Sequence, residues 1–189
     1  MRVFFKKPLA LRALFIFFAA CFFWCPSLEA AVNPFYVRVL VAENKSELRV
    51  TIKGRYTVRV LPSRKVARQG EKVAGERLTA TGRGIRLGSQ EWATDGILIE
   101  PAADRDLYLD QSRFRGNLSI FKTSSGTLYA VNRLDIEKYL YGVLHHEVAP
   151  WWPMEALKAQ AVAARTYAMY QAQQSQAASY DLKSSTSSQ

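Results

Sequence analysis

Proton-transfer chemistry is concentrated in one short run, His145-His146-Glu147-Val148-Ala149-Pro150-Trp151-Trp152-Pro153. A carboxylate in a loop walled by Trp151 and Trp152 is suited to acid chemistry, because desolvation favours its neutral form. A neutral carboxylic acid can protonate a leaving oxygen, so Glu147 is a candidate acid. His and Glu are also zinc ligands, but adjacent histidines point different ways on most backbones. No third or fourth ligand follows at motif spacing, so neither a metal nor another cofactor is expected. Further on, Lys158 and Arg165 are seven residues apart, two helical turns, and project from one side of a helix. If that side faces the loop, both cations stand near Glu147; otherwise they are the solvent-facing ends of an amphipathic helix.

The elements that must position these groups are a helix, a tight loop and a second helix. Asn132 is placed to cap the first, with Asp135 three residues on, and Ile136, Tyr139, Leu140 and Val143 then share a face at helical spacing. The second helix begins at Pro153, a residue suited to the first helical position, with Glu155 in the first turn where the dipole favours an acid. Ala156, Ala159, Ala161, Ala163, Ala164 and Ala168 make it alanine-rich, which predicts a buried helix packed closely on another element.

Upstream the pattern has period two. Val37, Val39 and Val41 alternate with Arg38, Leu40 and Ala42; Leu48 to Lys53 repeats the pattern, and Gly54-Arg55 turns the chain into Tyr56 to Leu61. These segments predict an antiparallel meander that Pro62 ends. Weaker strands are expected at residues 75–80, 84–87, 96–100 and 107–109, and a hairpin from residues 116–121 and 128–131 across Thr123-Ser124-Ser125-Gly126. The fold class is therefore α+β, an antiparallel strand-rich amino-terminal part followed by a helix-loop-helix. Arg115, in Phe114-Arg115-Gly116 just before the hairpin, stands apart from the arginines of the strands.

The first 31 residues read as an address. Arg2, Lys6, Lys7 and Arg12 precede an apolar run from Ala13 to Trp24, and small residues follow through Ala30-Ala31, the order of a cleaved secretory signal. An uncleaved anchor, or lipidation at Cys21, are the alternatives. Both cysteines, Cys21 and Cys25, fall in this stretch, so the remaining chain needs no disulfide. An exported protein of the cell envelope, periplasmic or extracellular, is expected, touching membrane only through an uncleaved leader. The formal net charge of +10 favours polyanions such as a cell-wall polymer. Its cations are scattered along strands without a nucleic-acid motif, and nucleic acid is not an expected partner.

The stretch Leu134 to Ala168, L-D-I-E-K-Y-L-Y-G-V-L-H-H-E-V-A-P-W-W-P-M-E-A-L-K-A-Q-A-V-A-A-R-T-Y-A, resembles the signature of the stage II sporulation protein D and LytB amidase-enhancer family (SpoIID/LytB). Weaker likeness reaches back to Phe114-Arg115-Gly116 and forward to Tyr180-Asp181-Leu182. The implied layout is a signal peptide at residues 1–31, a strand-rich part at 32–112 and a SpoIID/LytB domain at 113–189. The resemblance implies action on peptidoglycan glycan strands as a lytic transglycosylase, with Glu147 as the single acid and base and Lys158 and Arg165 as basic site residues. No second carboxylate is then required, unlike the usual paired-carboxylate glycosidase. The alternative it implies is a non-catalytic peptidoglycan-binding module or an enhancer of an N-acetylmuramoyl-L-alanine amidase, with a wall amidase as partner. Members continue past the Tyr180-Asp181-Leu182 segment, so the domain is expected to be its amino-terminal portion, apparently truncated at the carboxyl end. His145-His146 departs from the proline or small residue often found before the glutamate.

Overall fold

The computed structural model describes residues 34–102, 107–149 and 151–184. The leader expected at residues 1–31 lies outside them. The alternating segments form thirteen strands: β1 (Tyr36–Lys45), β2 (Glu47–Ile52), β3 (Tyr56–Val60), β4 (Lys65–Gly70), β5 (Val73–Ala80), β6 (Ile85–Leu87), β7 (Gln90–Trp92), β8 (Gly96–Pro101), β9 (Leu107–Leu109), β10 (Ser112–Phe114), β11 (Asn117–Lys122), β12 (Leu128–Asp135) and β13 (Leu182–Lys183). Helix α1 (Ile136–Glu147) follows β12 directly, and α2 (Met154–Gln174) precedes β13. The α+β class is as expected.

The strands make two sheets, one ordered β13-β1-β12-β11-β8-β3-β4 and the other β10-β9-β2-β5-β6-β7. Every pairing is antiparallel except β1 with β13. The expected meander of the first three strands is not formed. β2 pairs with β5 and β9 in the smaller sheet, whereas β1 and β3 lie in the larger one, separated by β12, β11 and β8. Each of these strands has one strongly apolar face; those of β2 and β3 meet in the core between the sheets, whereas β1 lays Val37 and Val39 under the helices. Strands from both stretches of the sequence mix in this way, since β1 is completed by β12 and β13.

The main core lies between the sheets, with Leu48, Val50 and Ile52 meeting Val58, Ile97, Ile99, Leu118 and Ile120. Burial of each such side chain is worth about 1.5–3 kcal/mol. A second cluster lies under the helices, where Val37, Val39 and Leu134 meet Ile136, Ala168 and Leu182. Asn132 is the one buried polar residue of the described core. It is not the helix cap the sequence suggests: it sits inside β12, and its Nδ2 donates to the carbonyls of Arg115 at 2.8 Å and Asn117 at 3.0 Å. Asp135 caps α1 instead, accepting from Glu137 N at 2.9 Å. Among the described residues no helix is long and apolar enough to cross a membrane.

Candidate functional site

Glu147 is the last residue of α1 rather than a loop residue. Tyr139, Val143 and Glu147 recur every four residues, so they line one flank of that helix. Opposite them, Gln160, Ala163, Ala164, Tyr167 and Gln171 line the facing flank of α2, which starts at Met154 with Pro153 as its cap residue rather than its first helical one. Between the two helices and the segment Tyr180–Lys183 runs an open groove of about 640 Å³. Small alanines on α2 leave the room, and tyrosine rings and side-chain amides furnish the walls.

Glu147 is exposed at the rim of this groove. Its Oε2 accepts a hydrogen bond from Gln160 Nε2 at 3.1 Å. Tyr139 lies deeper. Burial pushes its phenol above the ordinary value of 10.0, and the negative charge of Glu147 adds to the rise, with Tyr167 contributing less. The two groups thus share one electrostatic environment. The tryptophans do not wall the carboxylate in: Trp151 is 84% exposed and Trp152 47%. Their short turn, closed by Trp152 N donating to Ala149 O at 3.0 Å, carries both rings toward solvent.

The cations expected beside Glu147 are engaged elsewhere. Arg165 makes a two-point contact with Glu137, Nε to Oε1 at 2.9 Å and Nη2 to Oε2 at 2.7 Å, bracing α2 against the first turn of α1. These hydrogen bonds hold the Glu137 carboxyl below its usual range, with slight desolvation acting the other way. Lys158 bridges to Glu155 at 2.8 Å within its own helix. The partner that reaches Glu147 is Gln160, which sequence reasoning passed over. Gln160, Ala164, Tyr167 and Gln171 recur at i, i+4, i+7 and i+11, a helix-face pattern that a search for charged residues does not detect. The expectation of a buried α2 is also corrected: Ala168 is its single buried residue among the described ones, while Met154, Val162, Tyr167 and Tyr170 are exposed.

The floor of the groove is tied down by Asp181. Its carboxylate, with the side chain 3% exposed, accepts from Arg38 N at 2.7 Å, Arg38 Nε at 3.0 Å, Arg38 Nη2 and Ser175 Oγ at 2.9 Å. Arg38 also donates to the carbonyls of Ser175 and Ala178, so one guanidinium gathers the whole connection between α2 and β13. His145 and His146 meet edge to face, 5.2 Å between ring centroids, on the last turn of α1. Among the described residues, no three His, Cys, Asp or Glu side chains come together as a metal site would require.

Residues 124–189 match the family model SpoIID, described as Stage II sporulation protein. The chain is 35% identical over 151 residues to an uncharacterized protein of Brachyspira hyodysenteriae (strain ATCC 49526 / WA1), a match covering 76% of this chain and 38% of that protein. It is 31% identical over 140 residues to an uncharacterized protein of Chlamydia muridarum (strain MoPn / Nigg), covering 71% of this chain and 46% of the other. The chain spans less than half the length of these curated relatives. No solved structure matches it.

Proposed function

From the premise that residues 124–189 belong to the SpoIID family, we propose that this is an exported cell-envelope protein that cleaves peptidoglycan glycan strands as a lytic transglycosylase. The observation that carries the reading is the placement of Glu147, an exposed carboxylate at the rim of a groove walled by tyrosines and glutamines within the family segment. Aromatic faces and side-chain amides are the groups that hold pyranose rings, acetamido groups and hydroxyls. From Gln160 to Gln171 the groove wall runs about 16 Å along α2 at 1.5 Å per residue, enough for a short stretch of glycan.

In this mechanism Glu147 delivers its proton from Oε1 to the glycosidic oxygen as the bond to the anomeric carbon breaks. The resulting carboxylate then takes the proton of the sugar's own 6-hydroxyl while that oxygen bonds to the anomeric carbon. The product is a 1,6-anhydro ring; no water is consumed, and Glu147 ends protonated as it began. Gln160 is the positioning residue that fixes the carboxylate's orientation. Lys158 and Arg165 are not among the residues lining the groove, but their pairs with Glu155 and Glu137 are exposed and worth at most about 1 kcal/mol, so a glycan carboxylate or lactyl group extending beyond it can recruit either cation.

A second reading, a peptidoglycan-binding module or enhancer of a wall amidase, is favoured by the openness of the rim, since Glu147 and Trp151 both face solvent rather than a water-excluded cleft. Incubating the full chain with purified sacculi and examining soluble products by mass spectrometry separates the two. Cleavage predicts 1,6-anhydro muropeptides from wild type and none from Glu147→Gln. Sedimentation with sacculi and no such product in either protein would remove catalysis and leave the binding reading.

A further inference from the structure

Resting on the glycan reading of the groove, we propose that the Tyr139 hydroxyl is its acetamido-binding group, donating to the carbonyl of an N-acetylated sugar and so setting the register of the glycan against Glu147. Tyr139 lines the groove on the same flank of α1 as Glu147, with Val143 between them. Its ring packs against the cluster of Val37, Leu134 and Ala168 under the helices, which holds the phenol in place. The hydroxyl makes no hydrogen bond among the described residues, and no sealed-in polar side-chain atom there lacks a partner, so this hydroxyl is open to the groove rather than enclosed. A buried tyrosine ordinarily finds a partner for its hydroxyl. For this half-buried one, the groove is where a partner enters.

The surroundings select the ligand group. Gln160 donates to Glu147 and Arg165 to Glu137, so the two helices run antiparallel, and Tyr139, two residues past Glu137, faces the part of α2 that carries Ala163, Ala164 and Tyr167. Those alanines and Val143 line the groove and offer a small apolar surface. An acetamido methyl can rest on it while the carbonyl accepts from the phenol. The negative charge of Glu147 reaches the phenol oxygen, where it helps burial to keep the group neutral. An anionic ligand group is repelled by that field and a neutral carbonyl is not. Eight residues of helix, about 12 Å at 1.5 Å per residue, separate Tyr139 from Glu147, and long side chains on one helix lean the same way. The hydroxyl therefore does not share the scissile linkage with the carboxylate and moves no proton. It holds a neighbouring sugar so that the linkage falls at Glu147.

The test is calorimetric titration of the full chain with the N-acetylglucosamine tetramer and, separately, with the glucosamine tetramer that lacks the acetyl groups. In parallel, the ring carbon bearing the Tyr139 hydroxyl is followed by nuclear magnetic resonance in chain carrying 13Cζ-labelled tyrosine. The acetylated tetramer should bind wild type and move the Tyr139 signal. Tyr139→Phe keeps the ring and removes only the hydroxyl; it should unfold at the wild-type temperature yet bind the acetylated tetramer about fivefold more weakly, the worth of one neutral hydrogen bond. Tyr141→Phe, on the same helix but outside the groove lining, should bind as wild type does. Affinity for the glucosamine tetramer should be the same in wild type and Tyr139→Phe. Equal affinity of those two proteins for the acetylated tetramer, an equal loss for both tetramers, a Tyr139 signal unmoved at saturation, or no binding by wild type would overturn the assignment. If 1,6-anhydro muropeptides are nevertheless released from sacculi in a Glu147-dependent manner, only the role of Tyr139 falls; if wild type binds neither tetramer and releases no such product, the glycan reading falls with it.

Discussion

Asp181→Asn is the substitution from which the most can be read. The aspartate satisfies the backbone N–H and the guanidinium of Arg38 and the hydroxyl of Ser175 from a side chain that is 3% exposed, while the Arg38 side chain is 31% exposed. Replacing one carboxylate oxygen by an amide removes the negative charge, turns an acceptor into a donor facing another donor, and strands a half-buried cation. Breaking a fully buried pair costs about 3–5 kcal/mol. Because Arg38 retains some water contact, the low end, about 3 kcal/mol, is expected. For a domain of this size that lowers Tm by roughly 6–12 °C. The effect should also be local. The amides of Asp181 and Ser184, which donate to Arg38 O at 2.8 Å and Leu40 O at 2.9 Å, should lose hydrogen-exchange protection before β12 does. Chemical denaturation together with exchange mass spectrometry measures both quantities. A loss below about 1 kcal/mol, the value of an ordinary exposed pair, with those two amides still protected, would refute the view that Asp181 holds the groove floor in place.

Two further outcomes follow from the site and its supports. Ultraviolet titration should find Tyr139, like the buried Tyr56, ionising above the ordinary value of 10.0. Glu147→Gln should bring it part of the way down, because burial remains when the neighbouring charge is gone; no change on substitution would separate the two groups. A phenol raised in the folded state and ordinary in the unfolded chain supports folding fully below pH 10.0, and that support fades as pH rises through the folded value. Gly116→Ala should cost more than Gly126→Ala, although both glycines have φ +78. A left-handed alanine costs of order 1–3 kcal/mol at either position, but a Cβ meets Arg133 O at 2.4 Å in the first case and nothing within 4 Å in the second. Equal losses in thermal unfolding would mean that the turn can move away from Arg133.

The existence of most strands was legible because an apolar face at period two leaves a local trace, as Val37, Val39 and Val41 do. Partner choice leaves none. Nothing in Leu48–Ile52 says that it pairs with residues 73–80 rather than with its predecessor, since pairing is decided by which faces must share a core. β4, with Lys65, Arg68 and Gln69, was missed because an edge strand needs little apolar character. Asn132 shows how the same residue type can mislead: an asparagine upstream of a helix resembles a cap, whereas here its amide is buried to secure a turn 15 residues earlier in the chain. Glu147 draws attention through its sequence neighbours, whereas Gln160, whose amide donates to it, does not. Lys158 and Arg165 draw attention by charge, and the structure shows acids on the helices themselves claiming both.

The position of β1 has a consequence for how the chain folds. Its ladder partners are residues 128–135 and 182–183, so the first strand of the described fold is completed by segments roughly 90 and 140 positions downstream. Loop closure over such separations must precede the reward of pairing, which raises contact order and slows folding. During synthesis β1 has no native neighbour until β12 has been made, and it remains an open, valine-rich edge in the interval. A chaperone that holds unfolded chains would therefore find β1 open to it until β12 has been made.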